Sequence, residues 1–169
     1  MSSLHAWRGG SLPEKREELY ADAVDLLLDW WEKRKVKRAG GELVLVEPSL
    51  TEWLKTDYGK VRGLLNQLAY QVHKSQPEMV GTADIDGNEL VKGLMKLSSD
   101  PDLRPRRLVE YLSNRAGLLV PRGDNVYAFP HRTFQEYLAA CYLTDQQDYL
   151  DLVSGLLKKN LTDGVRLYC

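Results

Sequence analysis

The chain has 169 residues, 43% hydrophobic and 28% charged, the size of one domain with a helical extension and enough to bury a core without disulfides or metals. Lys+Arg 23 against Asp+Glu 24 leaves a formal charge of −1, so only a local patch could attract nucleic acid or an anionic membrane. With two cysteines, Cys141 and Cys169, no apolar run long enough to span a membrane and no visible signal peptide, the expectation is a soluble cytoplasmic protein rather than a disulfide-stapled secreted one.

Helical periodicity dominates the first third. Ser11 to Glu14 reads as a capping box with Pro13 in the first turn. Leu19, Ala23, Leu27 and Trp31 then recur every fourth residue, and the pattern predicts a long amphipathic helix over 12–38. Lys33, Arg34, Lys35, Lys37 and Arg38 suit its C-terminus, and Gly40-Gly41 suits its end. Trp30 and Trp31 cannot share one core line, so one of them is expected to meet a second surface. Residues 42–48 read as a short extended linker. Ser49 and Glu52 form a second capping box, and Trp53, Leu54, Val61, Leu64, Leu65, Leu68 and Val72 continue with helical spacing. Gly59 and Gly63 argue against an unbroken helix there.

Further on, Ala83-Asp84-Ile85 reads as a short strand, and Asp86 to Glu89 as the cap of a helix carrying Leu90, Leu94, Met95 and Leu97. Pro105 opens another helix through Leu108, Val109, Leu112 and Ala116, closed by Gly117. Leu118-Leu119-Val120 and Val126-Tyr127-Ala128-Phe129 flank a Gly/Asp/Asn turn and predict a hairpin. Thr133 to Glu136 reads as a capping box for a helix with Phe134, Tyr137, Leu138 and Cys141 on one face. A last helix is expected over roughly Asp148 to Lys158.

Helix, short strand, helix, helix, hairpin is the order of a winged helix, a helix-turn-helix variant. The expected fold class is therefore mainly α: a winged-helix core with a small β-hairpin wing, flanked by helices. The expected organisation is the end of a preceding helical domain at 1–41, a linker at 42–50, the winged helix at 51–143, and the start of a following helical segment at 144–169.

Few residues suggest chemistry. His5, His73 and His131 lie far apart without metal-ligand spacing. Cys141 sits on an apolar helix face and reads as core. Glu47 after Leu43-Val44-Leu45-Val46 mimics the strand and acid that hold magnesium in nucleotide hydrolases. No Gly-x-x-x-x-Gly-Lys-[Ser/Thr] loop accompanies it, so autonomous ATP hydrolysis is not expected. Arg104, Arg106, Arg107, Arg115, Arg122 and Arg132 form a local basic excess around the third winged-helix helix and the wing. They are either a solvated face or a DNA-binding surface using Arg104, Arg106 and Arg107. His131 lies between a strand and a helix start, where an imidazole could offer a directed donor to an anion. The plainer alternative is a loop histidine bonded to a backbone carbonyl.

The segment from Val126 to Ala140, with Phe129, His131, Phe134, Gln135, Glu136, Tyr137, Ala139 and Ala140 in step, resembles the winged-helix signature of NACHT-type STAND NTPases. Those are the NOD-like receptors of animals and their bacterial relatives. Leu12 to Arg16 with Leu19, Tyr20 and Trp30 resembles the closing helix of the preceding domain, and Arg115 to Leu119 the lead into the wing. The resemblance covers about residues 4–143. It implies a nucleotide-dependent switch, with a role in defence or stress signalling, in which the winged helix packs on the nucleotide-binding domain. It also implies that His131 touches the β-phosphate of bound ADP, while Phe129, Phe134 and Tyr137 pack around it. The phosphate loop, magnesium-binding acids and sensor arginine of that family find no counterpart here. The chain is therefore expected to be a regulatory, non-catalytic piece of a larger ATPase. It would need no cofactor of its own, while its parent would bind ADP or ATP with Mg. The expected partners are the parent's nucleotide-binding domain and, on activation, further copies. Specific DNA binding is not expected, nor is membrane binding; a plain protein-interaction module is the further alternative.

Overall fold

The architecture is that of a computed structural model, which describes residues 15–76, 81–115, 117–148, 150–151 and 154. In chain order the elements are α1 (Arg16–Glu32), β1 (Lys35–Ala39), β2 (Glu42–Glu47), α2 (Leu50–Leu54), α3 (Tyr58–Ser75), β3 (Asp84–Asp86), α4 (Gly87–Leu97), α5 (Pro105–Ser113), β4 (Val120–Gly123), β5 (Val126–Ala128) and α6 (Arg132–Thr144). The fold is mainly α with two small antiparallel sheets. One is the β1-β2 hairpin and the other is three-stranded, in the order β3-β5-β4.

The helices α3, α4 and α5 with that second sheet form the winged helix. Ile85 of β3 pairs with Tyr127 of β5, and both side chains point into the core beside Leu90, Leu94, Leu108 and Leu112. The wing is β4-β5, turning through Asn125 at φ 58. Local chemistry sets most helix starts. Ser49 and Glu52 complete a reciprocal capping box on α2, Asp57 accepts from Lys60 N at the head of α3, and Asp86 accepts from Asn88 N on α4. The run from Ser49 does break, between α2 and α3 at residues 55–57 rather than at Gly59 or Gly63, and α3 continues past both glycines because Val61, Leu65, Leu68 and Ala69 are buried along it. Tertiary packing outweighs the roughly 1 kcal/mol that each glycine costs a helix.

Several expectations are corrected. The first helix ends at Glu32, not Arg38, and the basic run continues as strand β1. Gly40 and Gly41, at φ +62 and +90, are the two central residues of a tight hairpin turn rather than a helix stop. A two-residue turn with both φ positive is what right-twisted strands require, and Val36 and Leu43–Val46 supply those strands. Residues 42–47 are accordingly β2, not a linker. Likewise α5 stops at Ser113, before Ala116, and Gly117 serves another purpose. A Cβ there would lie 2.9 Å from Leu27 O and 3.1 Å from Trp31 Nε1, so the missing side chain lets the lead into the wing pass against α1.

Helix α1 is also not a separate layer. Val24, Leu28 and Trp31 belong to the same hydrophobic cluster as Leu65 and Leu138. Asp25 holds Arg62 of α3 and accepts from Tyr58 Oη at 3.1 Å. Burial, reinforced by the Asp25 charge, pushes the Tyr58 phenol up to about 12. Of the tryptophan pair, Trp31 is buried and Trp30 is 54% exposed, as their adjacency demands. Cys141 is half-buried rather than core. The Ser11–Glu14 cap lies outside the described residues, and so does most of the helix expected over 148–158.

Candidate functional site at the start of helix α6

The strand β5 delivers the chain to α6 along a fixed path. Tyr127, Ala128 and Phe129 are all buried, so the backbone reaching Pro130 and His131 is anchored on one side. On the other side, Gln135, Leu138 and Ala139 bury the inner face of α6, and α3 packs along it. Gln135 is fully buried. Its Oε1 accepts from Ala83 N at 2.9 Å, and its Nε2 faces Gln76 Oε1 at 3.3 Å and His73 Nδ1 at 3.4 Å. That amide therefore bolts the start of α6 to the approach to β3 and to the end of α3.

His131 stands between these anchors with its side chain exposed. It is itself the N-cap of α6, at φ −146 and ψ 146. The expected cap, Thr133, is already inside the helix, and Glu136 pairs with Arg132 at 2.6 Å instead of closing a capping box. The imidazole takes the place that a serine or aspartate oxygen usually fills. Its Nδ1 accepts from Thr133 N at 3.2 Å and lies 2.8 Å from Thr133 Oγ1. A neutral ring whose Nδ1 accepts a backbone N–H carries its proton on Nε2. The exposed edge thus presents an Nε2–H donor at the positive end of a helix, where an acceptor or anion is favoured. The same tautomer withholds the lone pair that a metal ion would need. Among the described residues, no group of three or more His, Cys, Asp or Glu side chains is placed to hold a metal.

The structure scatters the basic excess. Arg115 is buried, Arg122 pairs with Asp84 at 3.3 Å across the wing, and Arg132 pairs with Glu136. Only Arg104, Arg106 and Arg107 stay together and exposed, at the N-terminal end of α5, with Arg106 paired to Glu110 at 3.3 Å.

Arg115 is the residue that sequence reasoning misplaced. Its guanidinium lies 4.4 Å from the Tyr111 ring centroid. It donates to the carbonyls of Trp30, Trp31, Lys33 and Pro48, and pairs with Glu47 at 3.2 Å. Tyr111 Oη adds bonds to Trp31 O and Pro48 O, and Trp31 Nε1 returns one to Arg115 O. The orphan carbonyls ending α1 are thereby capped from 82 to 85 residues away. Glu47, which mimicked a magnesium-binding acid, is committed to this knot; hydrogen bonding from Lys35 and then Arg115 holds its carboxyl below the usual range. Arg115 and Gln135 both stand in the segments that carry the family resemblance, but no local pattern assigns their buried bonding, since their partners are distant in sequence.

Three helices, the β3-β5-β4 sheet and its wing define a winged helix-turn-helix domain. Residues 16–143 match the family model of the winged helix-turn-helix domain C-terminal to NACHT. The chain belongs to that family, and its place is beside the NACHT domain of the same protein. The match begins at the first residue of α1, in keeping with the packing of that helix into the common core. No curated protein and no solved structure matched the chain. No helix among the described residues is long and apolar enough to cross a membrane.

Proposed function

We propose that this domain is the nucleotide-responsive regulatory element of a NACHT signalling ATPase, with His131 as the group that meets the β-phosphate of ADP in the resting state. The observation that carries this reading is the capping geometry. Thr133 occupies Nδ1, so Nε2–H faces outward at a helix start. That arrangement fits one phosphate oxygen and no more. The sequence holds no phosphate loop, so the chain contributes a sensor contact and does not hydrolyse ATP by itself. When bound to the NACHT domain, the nucleotide supplies the charge difference between resting and active states. What this chain supplies is a donor held in place by Thr133 and by the buried Phe129.

One such hydrogen bond to a charged acceptor is worth about 1.5–3 kcal/mol. That shifts a closed-to-open ratio by roughly ten- to a hundredfold. In the NACHT-containing protein, His131→Ala should speed ADP release by that factor and raise basal signalling, with thermal stability changed only by loss of a cap. Phe129→Ala should instead melt the domain. If His131→Ala releases ADP at the wild-type rate, the sensor assignment is wrong. Cytoplasmic residence and a role in defence belong to the same proposal and rest on the family resemblance.

A further inference from the structure

The β1-β2 hairpin has no part in the nucleotide reading, yet it holds most of the exposed apolar surface. Among the described residues, six of the eight exposed large apolar side chains fall between 30 and 46: Trp30, Val36, Leu43, Val44, Leu45 and Val46. They are 43 to 68% exposed. Every residue from 33 to 46 is exposed, and a Cβ on Gly40 or Gly41 would meet nothing within 4 Å, so the ribbon stands clear of the domain. Its base is held by Arg115 and Lys35 on Glu47 and by Arg34 on Glu52. The strand pairing sorts the side chains by face. Val36, Leu45, Arg38 and Leu43 share one face, and Lys37, Val44, Ala39 and Glu42 share the other. Aliphatic and cationic groups therefore stand on both faces of one projecting tip.

The two faces decide the occupant. A folded protein surface packs on one face of a ribbon and leaves the other wet, and a further strand on an edge covers neither. A lipid interface closes around the tip and covers both faces at once. Charge selects the lipid. Lys33, Arg34 and Lys35 pair near the base with Asp29, Glu52 and Glu47. Lys37 and Arg38, nearer the tip, form no ion pair among the described residues, and Glu42 is the one acid beside them. One cation on each face suits anionic headgroups, with its stem lying along the aliphatic side chains. Trp30, with the Lys33 ammonium 5.0 Å from its ring centroid, stands at the base and is of the residue type favoured at headgroup level. The outer backbone edges of this two-stranded sheet are unpaired, so the tip stops at the headgroup–acyl boundary, where water still reaches them. We propose that the β1-β2 hairpin is a membrane-surface anchor. Its tip enters the interface of an anionic bilayer, with Val36, Leu43, Val44 and Leu45 against the acyl chains and Lys37 and Arg38 on the phosphates. Strands of this length reach about 16–20 Å, and a tip about 5–10 Å deep leaves the paired charges of the base in water. The expectation of no membrane contact rested on net charge and on the lack of a spanning segment; neither bears on an exposed local ribbon.

Flotation of the 169-residue chain tests this, with vesicles of phosphatidylcholine alone and with vesicles carrying about 30% phosphatidylserine. Binding to the anionic vesicles should be reversible and weak, half-complete between about 0.1 and 1 mM lipid, at or below the strength of one acyl chain. Neutral vesicles should bind about fivefold less, because two cations less one acid act at the surface at about fivefold per charge. Salt should narrow that gap. Leu43→Ser with Leu45→Ser should weaken binding at least about tenfold while the circular dichroism of the helices stays unchanged. Lys37→Glu with Arg38→Glu should abolish the preference for anionic lipid, and Glu42→Lys should strengthen binding at least about fivefold. A chain that stays off anionic vesicles at about 5 mM lipid overturns the proposal and leaves the hairpin to a protein surface. Equal binding to both kinds of vesicle, binding that survives the double serine substitution, or binding that Glu42→Lys weakens overturns it as well.

Discussion

Replacing Arg115 by alanine should cost more stability than its place in a basic run suggests. The side chain is 3% exposed, and its loss strips a charge-assisted donor from the carbonyls of Trp30, Trp31, Lys33 and Pro48 and from Glu47. Breaking a buried pair by removing one partner costs about 3–5 kcal/mol. Glu47 is 34% exposed and can hydrate, and Tyr111 still serves Trp31 O and Pro48 O. The lower end, about 3 kcal/mol, is therefore expected. For a domain of this size that is roughly a 10 °C drop in Tm. Urea and thermal unfolding, followed by circular dichroism and by the fluorescence of buried Trp31, would read it. Arg115→Lys keeps the charge but loses the planar fork and the stacking on Tyr111, and should recover about half. The acid limb adds a second check. Glu47 is held below its ordinary value of 4.5 by Lys35 and then Arg115. Its contribution is present above about pH 4.5 and is lost as the pH falls through the depressed folded value. Arg115→Ala should shrink that acid loss without abolishing it, because Lys35 remains. An Arg115→Ala protein within about 0.5 kcal/mol of wild type would refute the knot as a stabilising element.

Within this chain, His131→Ala should cost about 1 kcal/mol as a lost cap, against about 3–5 kcal/mol for Phe129→Ala; equal losses in urea titrations would make His131 a packing residue. Thr133→Ala keeps the backbone N–H on Nδ1, so the ring should remain the Nε2–H tautomer, as nitrogen NMR of the imidazole would show. Burial lowers the pKa of His73 below 6.5, with Glu136 and Arg132 as opposing neighbours, so the folded state resists its protonation. Stability should be full above pH 6.5 and decline as the pH falls from there through the folded value, a loss that His73→Gln should remove from the pH profile. Calorimetry should find no micromolar ADP binding to this chain, since one donor supplies about 1.5–3 kcal/mol and a micromolar site needs about 8. Duplex pools should yield no enriched sequence in gel shifts; enrichment abolished by Arg106→Ala with Arg107→Ala would favour DNA recognition instead.

By itself the sequence determined the winged-helix core. Capping residues such as Ser49 and Asp86 act on amides two or three positions away, and the leucines of α4 and α5 repeat at short helical intervals. Such information is local, so it survives without the fold. The Phe129-x-His131 segment was equally legible, because the strand end and helix start that position His131 are contiguous. What tertiary structure decided are the features whose partners lie far apart. Gly40-Gly41 could end a helix or turn a hairpin, and the bonding of the α1 C-terminus to Arg115 leaves the following residues free to become β1. Arg115 looked like one more surface cation until the carbonyls of α1, some eighty residues earlier, enclosed it. His131 displaced Thr133 as the cap because its extended backbone sets Nδ1 within reach of the Thr133 amide, leaving Nε2 as the outward donor. Each of these outcomes depends on which groups meet across the core, and a buried polar group takes its role from the partners it finds there.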